Sequence, residues 1–97
     1  MFEIEFTPEA RDDLRALRKN DQAEIVAAMQ VQFQYEPTVE TRNRKRLRPN
    51  EVAEWELRVG KFRALYNVDV DVQRVRIEVI GFKMGHVLFV RGKRRVL

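Results

Sequence analysis

The chain has 97 residues, a formal net charge of +4, 44% hydrophobic and 35% charged residues, and no cysteine. That length allows a single domain, residues 1–97, with a core that needs neither metal nor disulfide support, and the missing cysteine excludes thiol chemistry and favours a reducing compartment. No apolar run approaches the roughly 18 residues of a membrane span, and Met1-Phe2-Glu3-Ile4-Glu5 is not a signal peptide, so a cytoplasmic location without a membrane partner is expected.

The charge is unevenly placed. Residues 1–40 carry four cations and nine anions, a net of −5, whereas residues 41–97 carry fifteen and six, a net of +9. A basic C-terminal part of this kind points to nucleic acid, an acidic protein partner, or both.

Phe2-Glu3-Ile4-Glu5-Phe6 alternates as a strand does. Thr7-Pro8-Glu9 supplies an N-cap, a proline at the first helical position and an acid in the first turn. Ala10, Leu14 and Leu17 recur at helical spacing and predict a helix to about Lys19, where Asn20-Asp21 breaks it and caps a second helix. Ile25, Ala28, Met29 and Phe33 mark the apolar face of that second helix, which is expected to end near Tyr35. Residues 36–52 read as irregular and contain five cations in the seven positions from Arg42 to Arg48.

The most ordered pattern is Trp55 to Tyr66. Trp55, Leu57 and Val59 alternate with Glu54, Glu56 and Arg58, and Phe62, Ala64, Tyr66 and Val68 with Arg63, Leu65 and Asn67. Gly60-Lys61 suits a type II′ turn, so the stretch predicts a β-hairpin with Trp55 across from Tyr66 and Arg58 across from Arg63. Two arginines facing each other repel unless an anion is near. Glu56, on the diagonal, makes either a surface salt-bridge cluster or, with the two guanidinium forks, the frame of a phosphate site.

Asp69 to Arg74 reads as a polar turn, and Val75, Ile77 and Val79, alternating with Arg76 and Glu78, as a further strand. Gly81 to His86 reads as a turn, Val87 to Val90 as an edge strand, and four of the five residues Arg91 to Arg95 are cations. No phosphate-loop or dinucleotide glycine pattern, zinc-ligand spacing or Ser/Cys–His arrangement occurs, so no metal or cofactor is expected. Arginine, glutamate, lysine and one histidine are nonetheless sufficient for metal-free RNA cleavage, which needs a base, an acid and cations for the phosphorane charge.

The chain resembles the RelE/ParE superfamily of type II toxin–antitoxin toxins. The likeness rests on Ile4-Glu5-Phe6-Thr7-Pro8-Glu9-Ala10, the helical pair, Arg46-Leu47-Arg48, the Trp55–Tyr66 hairpin with Phe62-Arg63-Ala64-Leu65-Tyr66, and the strand ending at Gly81. It implies a RelE-like α+β fold, order β-α-α-β-β-β: an N-terminal strand, a helical hairpin, then a mostly antiparallel sheet. RelE members cut messenger RNA on the ribosome and are neutralised by an antitoxin; ParE members share the fold and inhibit DNA gyrase. The resemblance therefore implies an antitoxin partner and either ribosome and mRNA or gyrase as target, with a degenerate, antitoxin-binding member as a third reading. Carried over, Arg63 and Lys83 would stabilise phosphorane charge, while Glu56 and His86 stand as base and acid candidates. Glu54 and Glu56 occupy positions where RelE has lysines. Arg42, Arg44, Lys45, Arg46, Arg48 and Arg58 are the expected RNA-binding set, Phe89 lies near the position of a stacking tyrosine, and Trp55 and Tyr66 are expected in the core.

Overall fold

The computed structural model describes residues 1–97. Thr7 caps the first helix, α1 (Pro8–Arg15): its Oγ1 accepts the Ala10 N–H at 3.0 Å, and Pro8 fills a position whose N–H would have no partner. α1 stops at Arg15, short of the expected Lys19, and α2 (Lys19–Gln32) starts with Arg18 at its N-cap. Asn20-Asp21 therefore lies in the first turn of α2 and does not break the helices. The break is earlier, where the Leu17 N–H bonds Leu14 O and Gln22 Nε2 donates to Leu17 O. Ile25, Met29 and Phe33 are buried as their spacing predicts.

Beneath the helices lies one seven-stranded sheet. Its strands are β1 (Glu3–Phe6), β2 (Arg44–Arg46), β3 (Trp55–Val59), β4 (Phe62–Asp69), β5 (Arg74–Met84), β6 (Val87–Val90) and β7 (Lys93–Arg95). Neighbours run antiparallel in the order β2-β3-β4-β5-β6-β7, and β1 joins β5 in parallel. The β3–β4 hairpin has the expected register, Trp55 opposite Tyr66 and Arg58 opposite Arg63, around a turn with φ +56° at Gly60. Trp55, Leu57, Val59, Phe62, Ala64 and Tyr66 join Ala10, Ile25, Met29 and Phe33 in the helix-side core, where the Tyr66 hydroxyl donates to Pro37 O at 2.7 Å.

Four further expectations, all in the sheet, are corrected. The run from Arg42 to Arg48 is not irregular throughout, because Arg44–Arg46 pairs with β3. β5 does not end at Gly81 but continues to Met84, and only Gly85-His86 turns. Gly81 lies inside the ladder because β6 passes so close that a Cβ there would sit 2.3 Å from Phe89 O. β6 is not an edge: the cationic segment after it forms β7 across a two-residue turn, with φ +49° at Arg91 and +76° at Gly92, the signs of a type I′ turn.

The fourth correction concerns faces. Leu65 pairs with Val79 and Tyr66 with Ile77, leaving Glu78 as an extra residue in β5. Such a bulge switches the alternation. Val75 and Ile77 face the helices, as does Ile80, but Val79 faces away and packs with Ala53, Leu65, Leu88 and Val90 in a second, smaller core. The 47–54 loop helps to cover that core with Leu47 and Val52. It is tied down by Asn50, which accepts from the Val52 and Ala53 N–H groups, and by Asn67, which accepts from Glu54 N–H.

β5 pairs with β4 along one side, but on the other it pairs first with β1 and then with β6. In the gap between them α1 supplies the missing partners. Thr7 Oγ1 donates to Glu78 O at 3.1 Å, and Asp13 Oδ2 accepts the Ile80 N–H at 3.0 Å. Asp13 is 1% exposed. Its other oxygen, Oδ1, lies 2.8 Å from Arg91 Nε, an ion pair without the alignment of a hydrogen bond. Burial raises the Asp13 carboxyl above its ordinary 3.8, a shift that the Ile80 N–H and Arg91 only partly offset.

Asp13→Ala leaves the Ile80 N–H buried and unpaired and is expected to cost about 1–3 kcal/mol in urea unfolding, whereas Asp13→Asn keeps an acceptor and loses less. Because the native value lies above that of the unfolded chain, ionising Asp13 removes stability as pH rises from 3.8 through the native value. Across that window the wild type should lose stability relative to Asp13→Asn; parallel pH profiles would show that Asp13 titrates as it does in the unfolded chain.

Candidate functional site

The sheet face turned away from the helices collects five of the ten site residues expected from the sequence, Lys45, Glu56, Arg58, Arg63 and Lys83. Register places Lys45 opposite Glu56, Arg58 opposite Arg63, and Arg63 opposite Gly81, with Lys83 two residues further along β5. The Lys83 N–H donates to Lys61 O at 2.9 Å, so the β3–β4 turn is stitched to β5 at this end.

Glu56 is the centre of the arrangement. Its side chain is only 4% exposed; Oε2 accepts from Arg58 Nε at 3.2 Å, and Oε1 lies 3.7 Å from Arg63 Nε. One carboxylate thus screens the two opposed guanidinium groups, and it does so from a buried position and not from the surface. A buried charge is tolerated when paired, and truncating its partner exposes the cost of burying it.

Arg63 is less accessible than a surface residue on a hairpin would be. Its side chain is 15% exposed, and Nη1 donates to Gly60 O and Phe62 O, both at 2.8 Å. Burial lowers its proton affinity; Glu56 opposes that shift and Arg58 adds to it. Nε is buried without a hydrogen-bond partner. Arg63 therefore braces the β3–β4 turn as well as lining the cationic face. Arg58, in contrast, keeps its guanidinium exposed, Lys83 is half-buried, and His86 is exposed in the β5–β6 turn.

Strand alternation divides the basic run between two faces. Lys45 stands on the face of Glu56, but Arg44 and Arg46 pair with Leu57 and Trp55 and belong to the helix side. Arg44 is 8% exposed. Its Nε donates to Val39 O, and its Nη1 to both Gln32 O and Gln32 Oε1, which ties β2 to the end of α2. Arg44 is a structural residue here, not a free cation for RNA. Arg46 covers the Trp55 ring at 5.4 Å and pairs with Glu54 at 3.1 Å. Arg42 and Arg48 are exposed. Phe89 is half-buried and stacks on Phe82, with ring centroids 5.6 Å apart, so it packs as well as presenting an edge.

Asp13 and Glu9 lie one turn apart on α1, and the sequence marks only Glu9, as an acid in the first turn. They hold Arg91 and Arg95 respectively, the second pair at 2.7 Å. The matching four-residue spacings are visible in the sequence, but nothing local shows that they meet. No group of three or more potential metal ligands converges, and no helix is long and apolar enough to cross a membrane.

The helical pair on a mostly antiparallel sheet is the α+β arrangement of the RelE/ParE superfamily toxins of type II toxin–antitoxin systems. Residues 4–81 match the family described as the ParE toxin of the type II toxin–antitoxin system parDE, and the chain belongs to that family. Among solved structures it is similar to the toxin–antitoxin complex RelBE2 of Mycobacterium tuberculosis, with 28% identity and a TM-score of 0.72, covering 84% of this chain and 98% of that one. The archaeal RelE–RelB complex of Pyrococcus horikoshii matches at 18% identity and a TM-score of 0.63, over 95% of this chain and 97% of that one. The YoeB–YefM complex of Staphylococcus aureus gives 17% and 0.63, over 87% and 99%. At the latter two identities the likeness is one of fold. No curated protein matches the chain.

Arg44→Ala should destabilise the fold, since hydrogen bonds from a charged donor contribute about 1.5–3 kcal/mol. Arg63→Ala, which removes two bonds to the turn, should also lower the unfolding midpoint, while Arg42→Ala and Arg48→Ala should leave it within about 0.5 kcal/mol of wild type. Denaturant unfolding of the four variants checks this: an unaltered midpoint for Arg44→Ala would make its buried bonds energetically idle.

Proposed function

We propose that this toxin acts in the cytoplasm on ribosome-bound messenger RNA, cleaving it without a metal, and is held inactive by an antitoxin whose acidic segment covers the basic face. The observation that carries this reading is the cation set Lys45, Arg58 and Lys83 around the Glu56–Arg63 pair, on a sheet face that no helix covers. A backbone phosphate entering there meets Arg58 first and competes with Glu56 for its guanidinium. Arg58 turning to the phosphate frees Glu56 Oε2, the oxygen it now engages, to take the 2′-hydroxyl proton. Arg63 and Lys83 offset the charge of the phosphorane, and His86, the chain's single histidine, protonates the leaving 5′-oxygen. The solved relatives are toxin–antitoxin complexes, which supports the antitoxin partner.

A second reading, favoured by the ParE family match, is a toxin that inhibits DNA gyrase by binding alone. In that case the Glu56–arginine cluster shapes a protein-binding face and performs no chemistry.

Brief induction of the chain, followed by mapping of new mRNA 5′ ends against ribosome footprints, separates the two readings. Ends in register with codons are expected; intact messages together with loss of gyrase supercoiling would replace the proposal by the second reading. Lys45→Ala, Arg48→Ala and Arg58→Ala should each reduce the slope of log RNA affinity against log salt by about 0.7–0.9 if that side chain contacts a phosphate. Arg44 is unsuited to this series because its removal disturbs the fold.

A further inference from the structure

Residues 82–97 lie beyond the family-matched stretch, carry five cations and contain no acidic residue. Two of the five are neutralised within the molecule, Arg91 by Asp13 and Arg95 by Glu9. Lys93 and Arg94 are exposed. Both belong to β7, which ends the sheet and has no strand on its outer side.

The register shows what that edge offers. Val90 and Lys93 flank the two-residue turn and face each other, so the main-chain N–H and C=O of Lys93 point to β6 and those of Arg94 point outwards. On the helix side Arg94 is paired with Phe89, which stacks on Phe82, and Met84 (64% exposed) with half-buried Val87 extends this apolar strip. On the other side stand Lys93 and Arg95. The edge thus combines unpaired main-chain groups, an apolar strip on one side and cations on the other. The other end of the sheet is less open, because Thr41 bonds Arg44 O through its N–H and accepts the Arg44 N–H through Oγ1.

Chemistry narrows the occupant. A second copy of the chain, edge to edge, would bring Lys93 and Arg94 against their own counterparts, the repulsion by which edge cations prevent self-pairing. RNA would meet the cations but could not satisfy a strand edge in register or cover the apolar strip. We propose that the outer edge of β7 receives an extended acidic peptide segment as an eighth strand. Its alternate acidic side chains meet Lys93, and the apolar ones between them lie over Phe89 and the Arg94 stem. This inference goes beyond the toxin's target: it concerns where an acidic partner docks, whichever molecule the toxin attacks.

A short capped peptide of alternating glutamate and valine serves as the probe, with its lysine–valine counterpart and a short oligouridylate as controls. Binding to the full chain, followed by amide hydrogen exchange, should add protection at Arg94 with the glutamate peptide only. Arg94→Pro removes the outward N–H but keeps the bonds to β6, and should weaken binding about five- to tenfold, the loss of one main-chain hydrogen bond. Arg94→Gln, which keeps the N–H, should bind within about twofold of wild type, and Lys93→Gln should flatten the salt dependence. Unaltered Leu65 exchange confirms that each variant is folded. Absent protection at Arg94 under saturating peptide overturns the proposal even if Arg94→Pro fails to fold. So does equal affinity for Arg94→Pro, or protection by oligouridylate alone. Failure to find cleaved mRNA overturns the proposed function and leaves this peptide measurement untouched.

Discussion

The fold depends on how the outer side of β5 is satisfied. An eleven-residue strand with one continuous neighbour needs partners for every N–H and C=O on its other side, because an unpaired buried group costs as much as a lost hydrogen bond. Here β1 and β6 each cover part of that side, and Thr7 and Asp13 of the α1 segment close the interval. The same interval holds the extra residue Glu78, which switches the faces of β5 and lets one strand contribute to two cores. Replacing a backbone partner by a buried carboxylate brings a charge inside, and that charge then recruits Arg91. The position of the last hairpin thus follows from the manner in which β5 is completed.

The opposite end of the sheet obeys the same electrostatic logic with different consequences. Arg58 and Arg63 face each other because the hairpin register leaves no choice, and Glu56 relieves the repulsion from beneath. Arg63 is further held by the carbonyls of the turn. Chemistry and architecture therefore share a residue: Arg63, which offsets phosphorane charge in the proposed cleavage, also keeps the β3–β4 turn in shape. A protein assembled this way has limited freedom to alter its site without altering its stability.

Much of this was legible in the sequence where the information is local. Thr7-Pro8-Glu9 marks a helix start, and the period-two alternation around Gly60-Lys61 determines a register down to individual pairs. The misreadings arise where distant segments decide. Nothing near Gly81 shows that Phe89 O approaches it, so a glycine required by a neighbouring strand reads as a turn. A bulge at Glu78 inverts Val79 while leaving the pattern Val75, Ile77, Val79 intact. Arg44 reads as one cation in a basic run, and only the meeting of α2 with the 39–46 segment converts it into a buried clasp. Asp13 looks like half of an ordinary acidic pair on a helix, since its partners at Ile80 and Arg91 are far along the chain. On the far face, the residue types of the candidate cluster could be read from the sequence, whereas which of them are free and which are held could not.

The parallel pairing of β1 with β5 has a kinetic meaning. Glu3 finds its neighbour at Arg74, and Asp13 meets the Ile80 amide 67 residues away. During synthesis the N-terminal strand and α1 must wait, without their partners, until β5 has left the ribosome. Contacts of such long sequence separation form late and slow the folding of small domains. The chain consequently passes through a period in which its first third is made but undocked, and its basic face comes into being only after most of its length has been translated.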